Sequence, residues 1–333
     1  MILLLKDLKN FFSFFLFNNT YDRVFFIEKI NYLKHFKSFL EHQNSKKLFI
    51  ILAFENLNLT NYDNSTVIIH TNFVKSLIFK TLNTRYVYST TPDLNNSIFV
   101  KNQKKNTKYL YIQHSPVGLL NAYKEDSFIN FDLIFCNSLS QKQDVLKINK
   151  HFKKKIRFWK QKIILEKINV ETKTKPRTIL IAPSWSTNFY TEEILNSLNK
   201  LNNNFEVTFR PHYMSILTNE ISKKFLEESN FIEDFNSELN IVKFDFLVSD
   251  WSGIYLEYIL NTGKKPLVIN TKEKNRNELF INELGIEKKL RNEFTFQIEI
   301  NNLDKIVDVV ENSINSNLNK RIDLKKLKNI FYL

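Results

Sequence analysis

Apolar residues along this chain fall into short blocks that alternate with stretches in which they recur every three or four positions, and the rhythm is clearest in the second half. Thr178–Ala182 is an apolar block ending at Pro183, and Thr191–Leu201 carries Ile194, Leu195, Leu198 and Leu201 at helical spacing. Phe205–Phe209 alternates like a strand. A helix is predicted over Ser215–Glu228 and a short strand near Phe231. Phe244–Val248 reads as a buried strand, after which Ser252 can cap a helix that runs to Leu260 and stops at Gly263. Pro266–Asn270 is the next strand, and helices are predicted over Asn275–Leu284 and Leu303–Ser313.

The first half repeats the pattern less sharply. Lys46–Ala53, Thr66–His70 and Arg85–Tyr88 are strand-like, and Phe73–Leu82 is helical. Tyr109–Gln113 and Asp132–Cys136 are further strands, the second leading into a helix capped at Ser138 or Ser140, and the polar Asn95–Lys108 is a loop. Strands alternating with helices imply parallel sheets with right-handed crossovers. The expected class is therefore α/β: two Rossmann-like parallel-sheet domains, 1–170 and 171–333, facing each other across a cleft. The join is expected between Lys167 and Arg177, where Glu171–Arg177 lacks apolar residues. No repeat, heptad or long low-complexity tract interrupts this.

Met1–Phe17 is rich in Leu and Phe but broken by Lys6, Asp7 and Lys9. Its apolar run is far shorter than the roughly 20 residues a membrane span needs, and it has neither the basic start nor the cleavage site of a signal peptide. A helix packed on the first domain is expected, with a helix lying on a membrane as the alternative.

Composition changes this picture in two places. Apolar residues (43%) and charged residues (25%) are those of a globular protein with sizeable cores. A single cysteine, Cys136, excludes an internal disulfide, and its apolar neighbours make it a packing residue. The net charge of +13 is concentrated: Lys147–Arg177 holds twelve Lys or Arg against Glu166 and Glu171. Such a segment fits an anionic partner, namely acidic lipid headgroups, a phosphorylated substrate or nucleic acid; a solvated helix face is the other reading.

Only four glycines and six prolines occur in 333 residues, and five of these ten fall in four clusters, each after an apolar block. His114 stands at the first, before Ser115-Pro116-Val117-Gly118, where an imidazole can serve as general base toward a hydroxyl or simply as a hydrogen-bonded loop residue. Ala182-Pro183-Ser184-Trp185-Ser186 would set Ser184, Trp185 and Ser186 at the cleft, where Trp185 shapes the pocket or simply seals the domain. In the third, Arg210 and His212 flank Pro211, two donors suited to phosphate oxygens, although Arg210 can equally pair with a carboxylate. The fourth, Ser249-Asp250-Trp251-Ser252-Gly253, passes from strand to helix within two residues. Ser252 and the N–H groups near Gly253 would face an anion and Glu257 the hydroxyls of a ribose, or Ser252 is only a cap and Glu257 only a surface acid. The remaining histidines lack metal-ligand spacing with Cys, Asp or Glu, so no metal site and no cofactor is expected. The absence of G-x-G-x-x-G, P-loop and G-x-S-x-G patterns argues against ordinary dehydrogenases, NTPases and α/β-hydrolases.

In order, from Tyr109 to Asn270, these segments resemble the CDP-glycerol glycerophosphotransferase family, the teichoic-acid-type polymerases and primases of GT-B fold. The resemblance implies a catalytic histidine at His114, with the family's P-[ST]-W turn at Pro183-Ser184-Trp185, its R-P-H turn at Arg210-Pro211-His212, and its D-[YW]-S-[SG] turn at Asp250–Gly253 with Glu257 after it. It implies that His212, Ser252, Gly253 and Glu257 hold the diphosphate and ribose of a CDP-linked donor. Two departures stand out: the family's lysine after the histidine turn is missing, and its arginine after the tryptophan is Ser186. The expected activity is transfer of a glycerophosphate-like group to a hydroxyl of a cell-surface polymer or lipid-linked acceptor. A GT-B glycosyltransferase using a nucleotide sugar, or a nucleotide-sugar epimerase, is the alternative. The expected setting is cytoplasmic or peripheral on the inner membrane face, through the basic segment 147–177, with no specific nucleic acid.

Overall fold

The computed structural model describes residues 2–17, 22–27, 32–41, 48–52, 66–69, 71–95, 99–102, 106–165, 178–185, 187–221, 232–233, 240–274, 276–281, 285–319 and 321–333. The chain divides into two compact units. One comprises Met1–His114, Tyr123–Ile164 and Tyr332; the other comprises Ser115–Ala122, Leu165–Phe331 and Leu333. The join expected between Lys167 and Arg177 lies outside the described residues. The segment Ser115–Ala122, within 1–170 by sequence, groups with the second unit because it is pinned there: Gly118 N–H donates to Glu287 Oε1 at 2.9 Å and Arg276 N–H to Asn121 O at 3.0 Å.

The first unit is built on strands β1 (Arg23–Ile27), β2 (Leu48–Leu52), β3 (Thr66–Ile68), β4 (Tyr86–Ser89), β5 (Lys108–Ile112), β6 (Leu133–Cys136) and β7 (Arg157–Lys160). They form one parallel sheet in the order β3-β2-β1-β4-β5-β6-β7. Phe25, Ile27, Tyr88, Leu110 and Ile112 fill one side with Phe36 and Leu40 of the helix Leu33–Glu41. Cys136 is buried as expected, and burial pushes its thiol up to about 12. The helix Leu139–Phe152 starts at Ser138, whose Oγ accepts from Gln141 N–H at 3.2 Å. The helix Ile2–Phe17 meets the helix Asn72–Thr81 and buries Asp7 and Phe14. Ile2, Leu3, Leu5, Phe12, Phe15 and Leu16 stay exposed.

The second unit holds β8 (Thr178–Ile181), β9 (Glu206–Phe209), β10 (Ile232–Glu233), β11 (Phe246–Ser249), β12 (Leu267–Asn270) and β13 (Phe296–Glu299). Their order is β10-β9-β8-β11-β12-β13, all parallel. Numbered within the unit this is 3-2-1-4-5-6, so the winding reverses between β8 and β11, and ligands of open α/β sheets bind at such a reversal, beyond the carboxyl ends of the strands. Two predicted helices are corrected. Of Asn275–Leu284 the described residues hold a short 3-10 turn, Glu278–Phe280, while residues 275 and 282–284 lie outside the described residues; the α-helix is Ile286–Phe294, entered at Gly285 and burying Ile286, Leu290 and Phe294. The helix begun near Ser215 is Tyr213–Leu217, ending before Asn219, whose φ of 54° leaves the right-handed helical region; residues 222–230 of that prediction lie outside the described residues.

Candidate functional site

Three of the expected turns lie at the carboxyl ends of the neighbouring strands β9, β8 and β11. Asp250 ties two of them together. It is fully buried, Ser184 N–H donates to its Oδ1 at 2.6 Å, and Thr187 Oγ1 donates to its Oδ2 at 2.5 Å. Burial pushes this carboxyl up, against the hydrogen bonds of Thr187 and Ser184 and the charges of Lys274 and Arg291. Ser249 Oγ donates to Ala182 O at 2.7 Å, lacing β11 to the end of β8. Arg291, a buried arginine of the helix Ile286–Phe294, donates to Asp250 O and Ile269 O, both at 3.0 Å, and its guanidinium lies 4.1 Å from the Trp251 ring centroid. Trp251 Nε1 donates to Thr271 O at 3.0 Å.

Ser184, Ser249 and Asp250 are buried, and their polar atoms hold the turns in register. Trp185, Arg210, His212, Ser252, Gly253 and Glu257 keep partial exposure. His212 heads the short helix Tyr213–Leu217, and its Nδ1 accepts from Met214 N–H at 3.1 Å. That bond places the proton of the neutral ring on Nε2. The rings of His212 and Trp185 lie 6.2 Å apart.

The helix after β11 is Ile254–Thr262, with Gly253 rather than Ser252 at the N-cap position; Ser252 Oγ accepts from Ile254 N–H only at 3.5 Å. Glu257 lies in its first turn, and Gly263 closes it with a left-handed φ of 67°. Glycine is required at 253 by space, since a Cβ would stand 2.6 Å from Val117 Cγ1 and 3.0 Å from Ser115 Oγ.

His114, half-buried, follows β5 and ends the first unit's run before Ser115. Its ring stands 4.4 Å from that of Tyr32 and 6.2 Å from that of His35. Burial holds His35 well below the ordinary histidine range, and the neighbouring His114 adds to this. Neither Tyr32 nor His35 was singled out by sequence. Their signal was the strand Arg23–Ile27 just upstream, which has no proline or glycine to announce it. Lys274, Arg276 and Arg291 were also missed, because nothing in a lysine-rich chain sets them apart. Ser186 lies outside the described residues. Among the described residues no group of three or more His, Cys, Asp or Glu is placed to hold a metal ion, and no helix is long and apolar enough to cross a membrane.

Residues 143–283 match the family described as CDP-Glycerol:Poly(glycerophosphate) glycerophosphotransferase. The turns at Pro183, Pro211 and Asp250 lie inside this stretch and His114 lies outside it. Among solved structures, a variant of the wall teichoic acid polymerase TagF soaked with CDPG is 13% identical, with 96% of this chain and 92% of that chain covered at a TM-score of 0.51. A UDP-N-acetylglucosamine 2-epimerase is 11% identical, with coverages of 89% and 90% and a TM-score of 0.50. At these identities the likeness is one of fold, the GT-B type. No curated protein sequence matches the chain.

Proposed function

Taking the chain as a CDP-glycerol glycerophosphotransferase-like transferase by its match over residues 143–283, we propose that it moves a polyol-phosphate group from a CDP-activated donor to a hydroxyl of a polymer or lipid-linked acceptor. The observation that carries this reading is the grouping of the matched turns at the carboxyl ends of β9, β8 and β11, beside the point where the winding reverses. Arg210 and the Nε2–H of His212 bind the donor's phosphate oxygens. The N–H groups at the start of the helix Ile254–Thr262 add the positive end of its dipole. Glu257 accepts from the ribose hydroxyls.

His114 removes the proton of the acceptor hydroxyl. The acceptor oxygen then bonds to the donor's distal phosphorus, the bond from that phosphorus to the bridging oxygen breaks, and CMP leaves with the electron pair. The first test is thermal shift. CDP-glycerol, CDP-ribitol and CDP are expected to raise the melting temperature, and UDP-sugars are not. Stabilisation by uridine compounds alone would move the donor to a nucleotide sugar and retire the cytidine assignment.

The acceptor reading extends to location, in the cytoplasm and peripheral on the inner membrane face. Lys150, Lys153, Lys154, Lys155, Arg157, Lys160 and Lys162 are exposed on the first unit, and Trp159 is 65% exposed on the edge strand β7 among them. Cations around an exposed indole suit an anionic bilayer surface.

A further inference from the structure

The turn after β12 brings two cations onto one aromatic ring. Lys274 Nζ stands 4.4 Å, and Arg276 Cζ 4.7 Å, from the centroid of Trp185. Lys274 Nζ also donates to Ser184 Oγ at 3.0 Å, so it is fixed to the turn after β8 as well as to its own. Lys274 is half-buried, whereas Arg276 is exposed. Neither forms an ion pair among the described residues.

Two like charges held on one ring repel, and among the described residues no salt bridge joins either to an acid. The acids that face Lys274 are Asp250 and Glu220, and the opposing cation is Arg276. Asp250 already accepts from Ser184 N–H and Thr187, and Glu220 Oε2 accepts from Ser215 Oγ at 3.1 Å. Burial, and then Arg276, bring the Lys274 ammonium down to about 8. The ring of His212 stands 6.2 Å from the same indole. A polyanion seated at this cluster would relieve the repulsion and meet charged donors on a preorganised support.

We propose that Lys274 and Arg276, gathered on Trp185, form the subsite that takes the diphosphate of a nucleotide-linked donor. This rests on the donor reading above. When the phosphorus–oxygen bond breaks, charge gathers on the leaving phosphate, and these two cations offset it there. The subsite favours a diphosphate over a monophosphate, because two phosphates can engage both cations.

Calorimetric titration of the full chain with inorganic pyrophosphate, CDP and CMP tests this. Arg276→Gln and Lys274→Met are each expected to weaken pyrophosphate and CDP about 10- to 100-fold, the loss of one charged hydrogen-bond donor, and CMP less. CDP binding to the parent should weaken as pH rises through about 8, where the Lys274 ammonium loses its proton. Lys274→Arg should retain binding and lose that pH dependence, since guanidinium stays charged. Arg276 is exposed, so its variant separates a binding loss from a folding loss. Unchanged pyrophosphate and CDP affinity in both variants, or no binding of either ligand to the parent, overturns the subsite. Pyrophosphate binding that the variants lose, in a protein that ignores every cytidine nucleotide, keeps the subsite and refutes the cytidine donor.

Discussion

Gly253 begins the helix Ile254–Thr262 with an ordinary φ of −59°, so what it supplies is room for Val117 and Ser115 and not backbone freedom. Gly253→Ala forces these side chains apart and is expected to lower stability by about 1–3 kcal/mol in urea unfolding. His114 sits beside the rings of Tyr32 and His35. His114→Ala is expected to cut turnover by about 100- to 10,000-fold, the range for losing a general base, while calorimetric donor affinity stays as in the parent. A loss of affinity to match would make His114 a donor-holding group.

At the level of elements, one carboxylate joins the starts of β5 and β6. Asp132 accepts from Tyr109 N–H at 3.0 Å, Lys108 Nζ at 3.0 Å and Lys101 Nζ at 3.3 Å. Burial alone would raise this carboxyl, but the Tyr109 hydrogen bond and the two lysines hold it below its usual 3.8. A carboxyl lowered by folding stabilises the fold above its unfolded value and loses that contribution as pH falls through the folded one. Asp132→Asn should therefore cost about 1–3 kcal/mol at pH 7, with the deficit shrinking as pH drops below about 4, read by urea unfolding across that range. The same scale shows what the chain revealed about its fold. Buried strands such as β8, β11 and β12 were legible, because a run of apolar residues bounded by proline, serine or glycine has few other readings. Two of the edge strands were not: β7 and β13 are buried on one side at most, and Arg157–Lys160 reads as part of a basic run. The central strand β1 was missed for the opposite reason, since Arg23–Ile27 is buried but has no proline or glycine beside it. Of the site, the turns were legible from their proline and glycine. Which side chains turn inward was not: the motif letters of Asp250 and Ser184 do not tell that both are buried and hydrogen-bonded across the turns.

Over the whole molecule, charge is the property that local contacts leave unexplained. The segment Lys147–Arg177 holds twelve of the 48 Lys and Arg and only two acids, while the remainder is close to neutral. Its described part surfaces on the helix Leu139–Phe152 and the edge strand β7, where lysines also discourage pairing with a foreign strand. That protective role needs one or two lysines and leaves Lys153, Lys154 and Lys155 without a task. Each basic group near an anionic bilayer contributes about 1 kcal/mol, so removing three should weaken binding by about 100-fold. Co-sedimentation should show the protein on vesicles containing phosphatidylglycerol and not on phosphatidylcholine alone, with the bound fraction falling as salt rises. The Lys153→Gln, Lys154→Gln, Lys155→Gln triple variant should lose most of that binding and keep its affinity for CDP. Equal binding to both lipids would shift the weight to the exposed apolar side of the helix Ile2–Phe17, and binding to random DNA with no binding to vesicles would assign the basic segment to nucleic acid.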